Sequence, residues 1–191
     1  MADLKNIKFY DDNVLNIDTE RFYREAEDCF YYFGKPEEAV SKLKSGLALS
    51  PHHTKSLKFL GDIYYTEGKM EEALDSYTVA GALKPNDAHI LSSIASTYDA
   101  MGDYQKALAF INIAQENLSI ENFRLYVPVY DLKFALLLKM QKYEEAQKFL
   151  DAIKKRVSAE DADRMSVVNR TLLKKKLSVK EKIAALNIKV I

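Results

Sequence analysis

The chain of 191 residues has one cysteine, six glycines, four prolines and no tryptophan. The single cysteine, Cys29, excludes an internal disulfide framework and fits a reducing compartment. So few glycines and prolines argue against an all-β protein rich in turns and for long helices. No stretch approaches the ~18 uninterrupted apolar residues of a membrane span. The start, MADLKNIKFYDD, lacks a basic stretch followed by an apolar run and a small-residue cleavage site, so no signal peptide is expected and the cytoplasm is the expected location. Net charge is zero, yet it is unevenly spread. Residues 154–191 hold eleven Lys/Arg and four Asp/Glu, a net of +7. The remainder holds 17 against 24, a net of −7, so a mildly acidic body carries a basic C-terminal segment.

What the chain does have is a repeat. EGKMEEAL (67–74) returns as FGKPEEAV (33–40) and MGDYQKAL (101–108). Gly34, Gly68 and Gly102 are 34 residues apart, and Ala39, Ala73 and Ala107 keep the same interval. A fourth copy, MQKYEEAQ (140–147), has Gln141 in place of the glycine and arrives five residues late. A fixed period of this length is the signature of stacked supersecondary units.

The unit Thr54–Asp87 reads most clearly. Leu57, Leu60, Gly61 and Tyr64 form one helical stripe that stops near Gly68. A second helix starts around Met70, with Ala73, Leu74, Tyr77 and Ala80 inward, and ends before Pro85. Each unit is therefore expected to be a helical hairpin. Gly61 and Ala73 lack bulk, so the two helices can approach there, with Leu60, Tyr64 and Tyr77 around the contact. Gly68 is expected at positive φ, where it stops the first helix. One hairpin cannot bury its apolar face alone, whereas stacked copies form a solenoid.

The pattern Leu57-x2-Leu60-Gly61-x2-Tyr64, Ala73-x3-Tyr77 and Pro85 resembles the tetratricopeptide repeat. Residues 88–121 follow it with Leu91, Ile94, Ala95, Tyr98, Gly102, Ala107, Ile111 and Ala114, but end on Ser119 rather than proline. Residues 20–53 follow it with Tyr23, Ala26, Phe30, Gly34, Ala39, Leu43, Gly46 and Pro51, but place Glu27 where a small residue belongs. Residues 127–160 keep Tyr130, Phe134, Leu137, Ala146, Leu150 and Ile153, and depart at Lys133 and Gln141. Pro128 is expected in the first turn of its helix, and the five extra residues are expected around Ser119–Tyr126. The resemblance implies an all-α fold, a right-handed superhelical solenoid of four hairpins over residues 20–160. Residues 1–19 form an N-terminal extension. Residues 161–191 are expected to form a cap: a helix over Asp161–Lys175 with Met165, Val168 and Leu172 inward, then a shorter one from Ser178 with Val179, Ile183 and Leu186.

In this family the first helix of each hairpin lines a concave groove that holds extended peptides or partner helices. The corresponding positions here are Arg21, Arg24, Asp28, Tyr31 and Tyr32, then Lys55, Lys58, Phe59, Asp62, Tyr65 and Thr66. The third unit adds His89, Ser92, Ser93, Ser96, Asp99 and Ala100, and the fourth Asp131, Leu132, Ala135 and Leu138. Tyr31, Phe59 and Tyr65 are candidate aromatic anchors, and Arg24, Lys55 and Lys58 candidate partners for acidic groups. Ser92, Ser93 and Ser96 leave room for a ligand backbone. The plainer reading is that the aromatics pack on neighbouring helices and the charges keep the surface soluble. Relatives that grip the C-terminal carboxylate of Hsp70 or Hsp90 use a Lys, Asn, Asn, Lys and Arg set. Here Lys58 matches, but Asp62, Ser93, Pro128 and Leu132 stand at the other positions, so that ligand is not expected.

Signals for chemistry are poor. His52 and His53 have no metal-ligand spacing around them, and neither phosphate-binding glycine motif is present. Cys29 reads as a buried core thiol. The pairs Glu37–Glu38, Glu71–Glu72 and Glu144–Glu145 recur at the starts of second helices, where they favour the helix N-terminus. The expectation is a non-catalytic scaffold or adaptor without cofactor or metal, monomeric or weakly dimeric, binding a peptide or helix of a partner protein. One alternative is a dedicated cytosolic chaperone resembling those of type III secretion. Another is binding of nucleic acid or an anionic surface through Arg170, Lys174, Lys175, Lys176, Lys180 and Lys182, a segment that lacks interleaved aromatics and equally reads as a solvated helix end.

Overall fold

The computed structural model describes residues 12–118 and 123–156, and their regular structure is helical throughout. The chain divides into two compact units, Met1–Pro85 and Asn86–Ile191. The first contains α1 (Asp12–Glu27), continued by a π-helical turn (Asp28–Tyr32), then α2 (Pro36–Leu49), α3 (Thr54–Thr66) and α4 (Met70–Leu83). The second contains α5 (Ala88–Ala100), α6 (Tyr104–Glu116), α7 (Phe123–Lys139) and α8 (Tyr143–Arg156). α1 starts within the stretch read as the N-terminal extension. The capping helix, the tail and its lysines lie outside the described residues. None of the described helices is long and apolar enough to cross a membrane.

The starts and stops are chemically specified. Pro36 opens α2 at a position where its missing N–H costs nothing. Asp87 caps α5 by accepting from the His89 and Ile90 N–H groups at 3.0 and 3.2 Å. Asp103 caps α6 by accepting from Lys106 N–H at 3.1 Å. The acidic pairs do occupy the first turns of α2, α4 and α8. First helices stop on a repeated device. Gly68 at φ 76° lets Lys69 N–H reach Tyr64 C=O, and Gly102 at φ 82° does the same for Asp103 and Tyr98. In the fourth hairpin Gln141 takes that place at φ 61°, and Lys142 N–H bonds Leu137 C=O.

In the first unit, Ala26, Cys29, Ala39, Leu43, Phe59, Leu60 and Ile63 form the core. The second unit has two clusters. One contains Leu91, Ala95, Ala107, Ile111 and Leu136. The other contains Tyr130, Phe134, Leu137, Ala146, Leu150 and Ile153, all six being residues that the fourth repeat marks as inward. Burying a side chain such as Leu43 or Phe134 contributes roughly 1.5–3 kcal/mol. The small residues act as expected. A Cβ added at Gly61 would stand 2.5 Å from the Tyr77 ring, so α3 and α4 meet directly there. Gly46 on α2 plays a similar part against Thr19 and Phe22 of α1.

One expectation is corrected. Pro128 sits inside α7, five residues after its start at Phe123, not in the first turn. Residues 123–126 of the insertion extend the helix by one turn at its N-terminus. At this depth proline removes a backbone hydrogen bond that the helix otherwise makes. The rest of the insertion, 119–122, lies outside the described residues.

Candidate functional site

α1 and α3, the first helices of the opening hairpins, are joined by aromatic rings. Phe59 of α3 is the hub: Tyr23 and Phe30 meet it edge-on at 5.8 and 5.7 Å, and Tyr31 stacks on it at 5.7 Å with planes 12° apart. Phe59 is therefore not the exposed anchor expected from its position. It is 4% exposed, and its ring is committed to the contact between the two helices. Tyr31, by contrast, is 65% exposed, with one ring face backed by Phe59. Tyr65 is half-buried, and Thr66 is exposed, donating its hydroxyl to Ile63 C=O at 2.8 Å.

The charges around this face are partly spent within the fold. Lys55 donates to Glu20 at 2.7 Å, tying α3 to α1, and holds the Glu20 carboxyl below its ordinary range. Lys58 pairs with Asp62 one turn on at 2.8 Å, and the Tyr77 hydroxyl donates to the same carboxylate at 2.8 Å. Two of the three cations expected to meet a ligand thus have internal partners. Arg24 and Asp28 are exposed and line an open depression of about 430 Å³ with Ile17, Glu20, Arg21 and Glu25. Burial raises the Tyr31 hydroxyl pKa, with Asp62 and Glu27 adding to it.

His53, at the N-terminus of α3, belongs to the same joint. Its Nδ1 lies 2.7 Å from Ser56 Oγ, its ring meets Tyr23 edge-on, and its Nε2 stands 3.7 Å from Glu20. Burial lowers its pKa against the pull of Glu20. These contacts give it a structural role. Cys29 is a free thiol buried in the first core. No group of three or more His, Cys, Asp or Glu able to hold a metal occurs among the described residues.

In the second unit, α5 and α7 carry the corresponding face. Ser92, Ser93 and Ser96 are half-buried on α5, while His89 and Ala100 are exposed near its two ends. Asp131, Leu132 and Ala135 are half-buried on α7, and Leu132 and Leu138 pack against the two cores. Asp99 accepts both oxygens' worth of bonding from Lys139, at 2.6 and 2.7 Å, which ties the end of α5 to the end of α7. Sequence reasoning missed Lys139, because it pairs with a residue 40 positions away and no local pattern marks it. It missed Phe33 too, 67% exposed beside Tyr32, because that position carries no repeat signal.

Two family models described as tetratricopeptide repeat match the chain, at residues 56–88 and 88–116. A comparison with curated protein sequences finds no match. Among solved structures, the chain is similar to a tetratricopeptide repeat protein from Parabacteroides merdae, with TM-score 0.68, 24% identity and 86% of this chain covered. The chain spans 62% of that protein's length. It is similar to pilF of Pseudomonas aeruginosa, with TM-score 0.69, 16% identity, and coverage of 90% of this chain and 72% of the other. It is also similar to the TPR2B domain of yeast Sti1 in its pHsp70 complex, with TM-score 0.56, 21% identity, and coverage of 65% and 96%. At these identities the likeness is one of fold.

Proposed function

The chain belongs to the tetratricopeptide repeat family, and from that premise we propose that it holds a segment of a partner protein, an extended peptide or a helix, on its first-helix faces. The observation that carries this reading is the Tyr31 ring, fixed by stacking on Phe59 while most of it stays in water. A ring immobilised before binding loses little freedom on binding, which is the property of a recognition anchor. Arg24, Asp28 and Tyr65 hold first-helix positions of the same unit, and Ser92, Ser96 and Asp131 hold the corresponding positions of the second. The proposed role is that of a non-catalytic adaptor in the cytosol, without cofactor. A chaperone C-terminal carboxylate is not the proposed ligand. Lys58 is already engaged by Asp62 and would have to leave that pair to grip a carboxylate.

Affinity capture from native lysate, read by mass spectrometry, tests this reading. The wild type runs beside Tyr31→Ala with Asp28→Lys and Tyr65→Ala, shown by circular dichroism to remain helical. Phe59 is left intact because its removal would open the core. The expected outcome is a partner held by the wild type and lost by the variant. A partner kept equally by both would place the site elsewhere. Recovery of one aggregation-prone client, made soluble by the chain, would favour the chaperone alternative.

A further inference from the structure

α1 ends differently from the other first helices. Its last turn, Asp28–Tyr32, is π-helical, with Phe33 N–H bonded to Asp28 C=O at 3.2 Å. Lys35 N–H then reaches back six residues to Cys29 C=O. The matching bonds of the later hairpins span five residues: Lys69 to Tyr64, Asp103 to Tyr98 and Lys142 to Leu137. Single π turns inside α-helices are rare and frequent at functional sites. This one presents Tyr31, Tyr32 and Phe33 to water, at 65%, 82% and 67% exposure. The same places hold Tyr65, Thr66 and Glu67 in the second hairpin and Asp99, Ala100 and Met101 in the third. The aromatic triplet is therefore a property of the first hairpin and not of the repeat. Adjacent exposed aromatics of this size mark an interaction surface rather than an incidental one.

The charge beside the triplet selects its ligand. Glu27 and Asp62 both act electrostatically on Tyr31. Asp28 is exposed one turn before it on the same helix. Lys58 is paired with Asp62 at 2.8 Å and Lys35 with Glu38 at 2.8 Å, and Arg24, exposed one turn before Asp28, is outnumbered by the carboxylates of Glu27 and Asp28. The surroundings of Tyr31 thus keep an acidic balance, in the same sense as the net −7 of residues 1–153. Extending the proposed peptide binding, on which this inference rests, we propose that the end of α1 receives a basic side chain, arginine or lysine, from a peptide segment of the partner. The cation lies over the open face of Tyr31, near the carboxylates of Glu27, Asp28 and Asp62. Tyr32 and Phe33, exposed at the same helix end, offer apolar contacts to the rest of the segment.

Selection from a displayed library of random-sequence peptides on the immobilised full chain tests this. The most enriched peptide is then titrated by fluorescence anisotropy against the wild type, Tyr31→Leu and Asp28→Lys. Leucine keeps Phe59 covered but removes the π face. Asp28 reverses an exposed charge. The expected result is enrichment of Arg and Lys, affinity about 2- to 5-fold weaker for Tyr31→Leu, a larger loss for Asp28→Lys, and weaker binding as salt rises. Selected peptides without basic enrichment would overturn the proposal while leaving peptide binding intact. So would basic peptides indifferent to both substitutions. A library that yields no binder to the folded chain would overturn this inference and the peptide-binding reading together.

Discussion

At the scale of single residues, two positions show how tightly the repeat is specified. Gln141 stands at φ 61° where three hairpins place glycine. A side chain in the left-handed region costs about 1 kcal/mol or more, against which glycine loses some chain entropy on folding. Gln141→Gly is expected to raise stability by about 1 kcal/mol in urea denaturation. A lower midpoint would mean that the glutamine side chain makes a compensating contact. Gly61 shows the reverse case. The Tyr77 ring is 2% exposed and its hydroxyl is bonded to Asp62, so it cannot swing away from an added methyl group. Gly61→Ala is expected to cost about 1–3 kcal/mol by the same measurement. Both effects were legible in the sequence. A residue missing from a strict period points to its own geometry, and a small residue inside a helical stripe points to a close approach.

Helices and their contacts were legible where the cause is local and hidden where it is not. Short-range rules place the stop of α3 before Gly68 and the start of α4 at Met70, and the structure reproduces both, whereas α7 starts a turn earlier than the repeat led one to expect. The π turn did not show in the pattern, although Glu27 in place of a small residue marked its site. Pairings across repeats, Lys55 with Glu20 and Lys139 with Asp99, join residues that only folding brings together. Phe59 kept its predicted place in the repeat, but it packs rather than projects, because neighbouring aromatics on α1 close over it. Lys133 combines both lessons. It occupies an apolar position of α7, and its Nζ donates to Gln115 at 2.6 Å and lies 4.8 Å from the centre of the Phe149 ring. Burial lowers its pKa, against the pull of Glu116 and Glu145. The unfolded chain then binds more protons than the folded one between the lowered pKa and the ordinary lysine value, so stability rises with pH across that window. Lys133→Met is expected to be more stable than the wild type near neutral pH, with an advantage that shrinks as pH climbs towards 10.5. Denaturation at neutral and alkaline pH checks the sign. An advantage that grows with pH would contradict it.

At the scale of the molecule, the sequence specified a chain of helical hairpins but not its ligand, because the repeat positions that shape the fold are the buried ones. Function is left to the outward residues, and these vary freely from hairpin to hairpin: Tyr31–Tyr32–Phe33 in one, Tyr65–Thr66–Glu67 in the next. On the proposed function, partners bind on first-helix faces. Hydrogen exchange by mass spectrometry, on the full chain with and without its captured partner, tests it most directly. The expected result is slowed exchange in α1, the π turn and α3, with little change in α2 and α4. Protection confined to α2, α4, α6 or α8 would contradict the account.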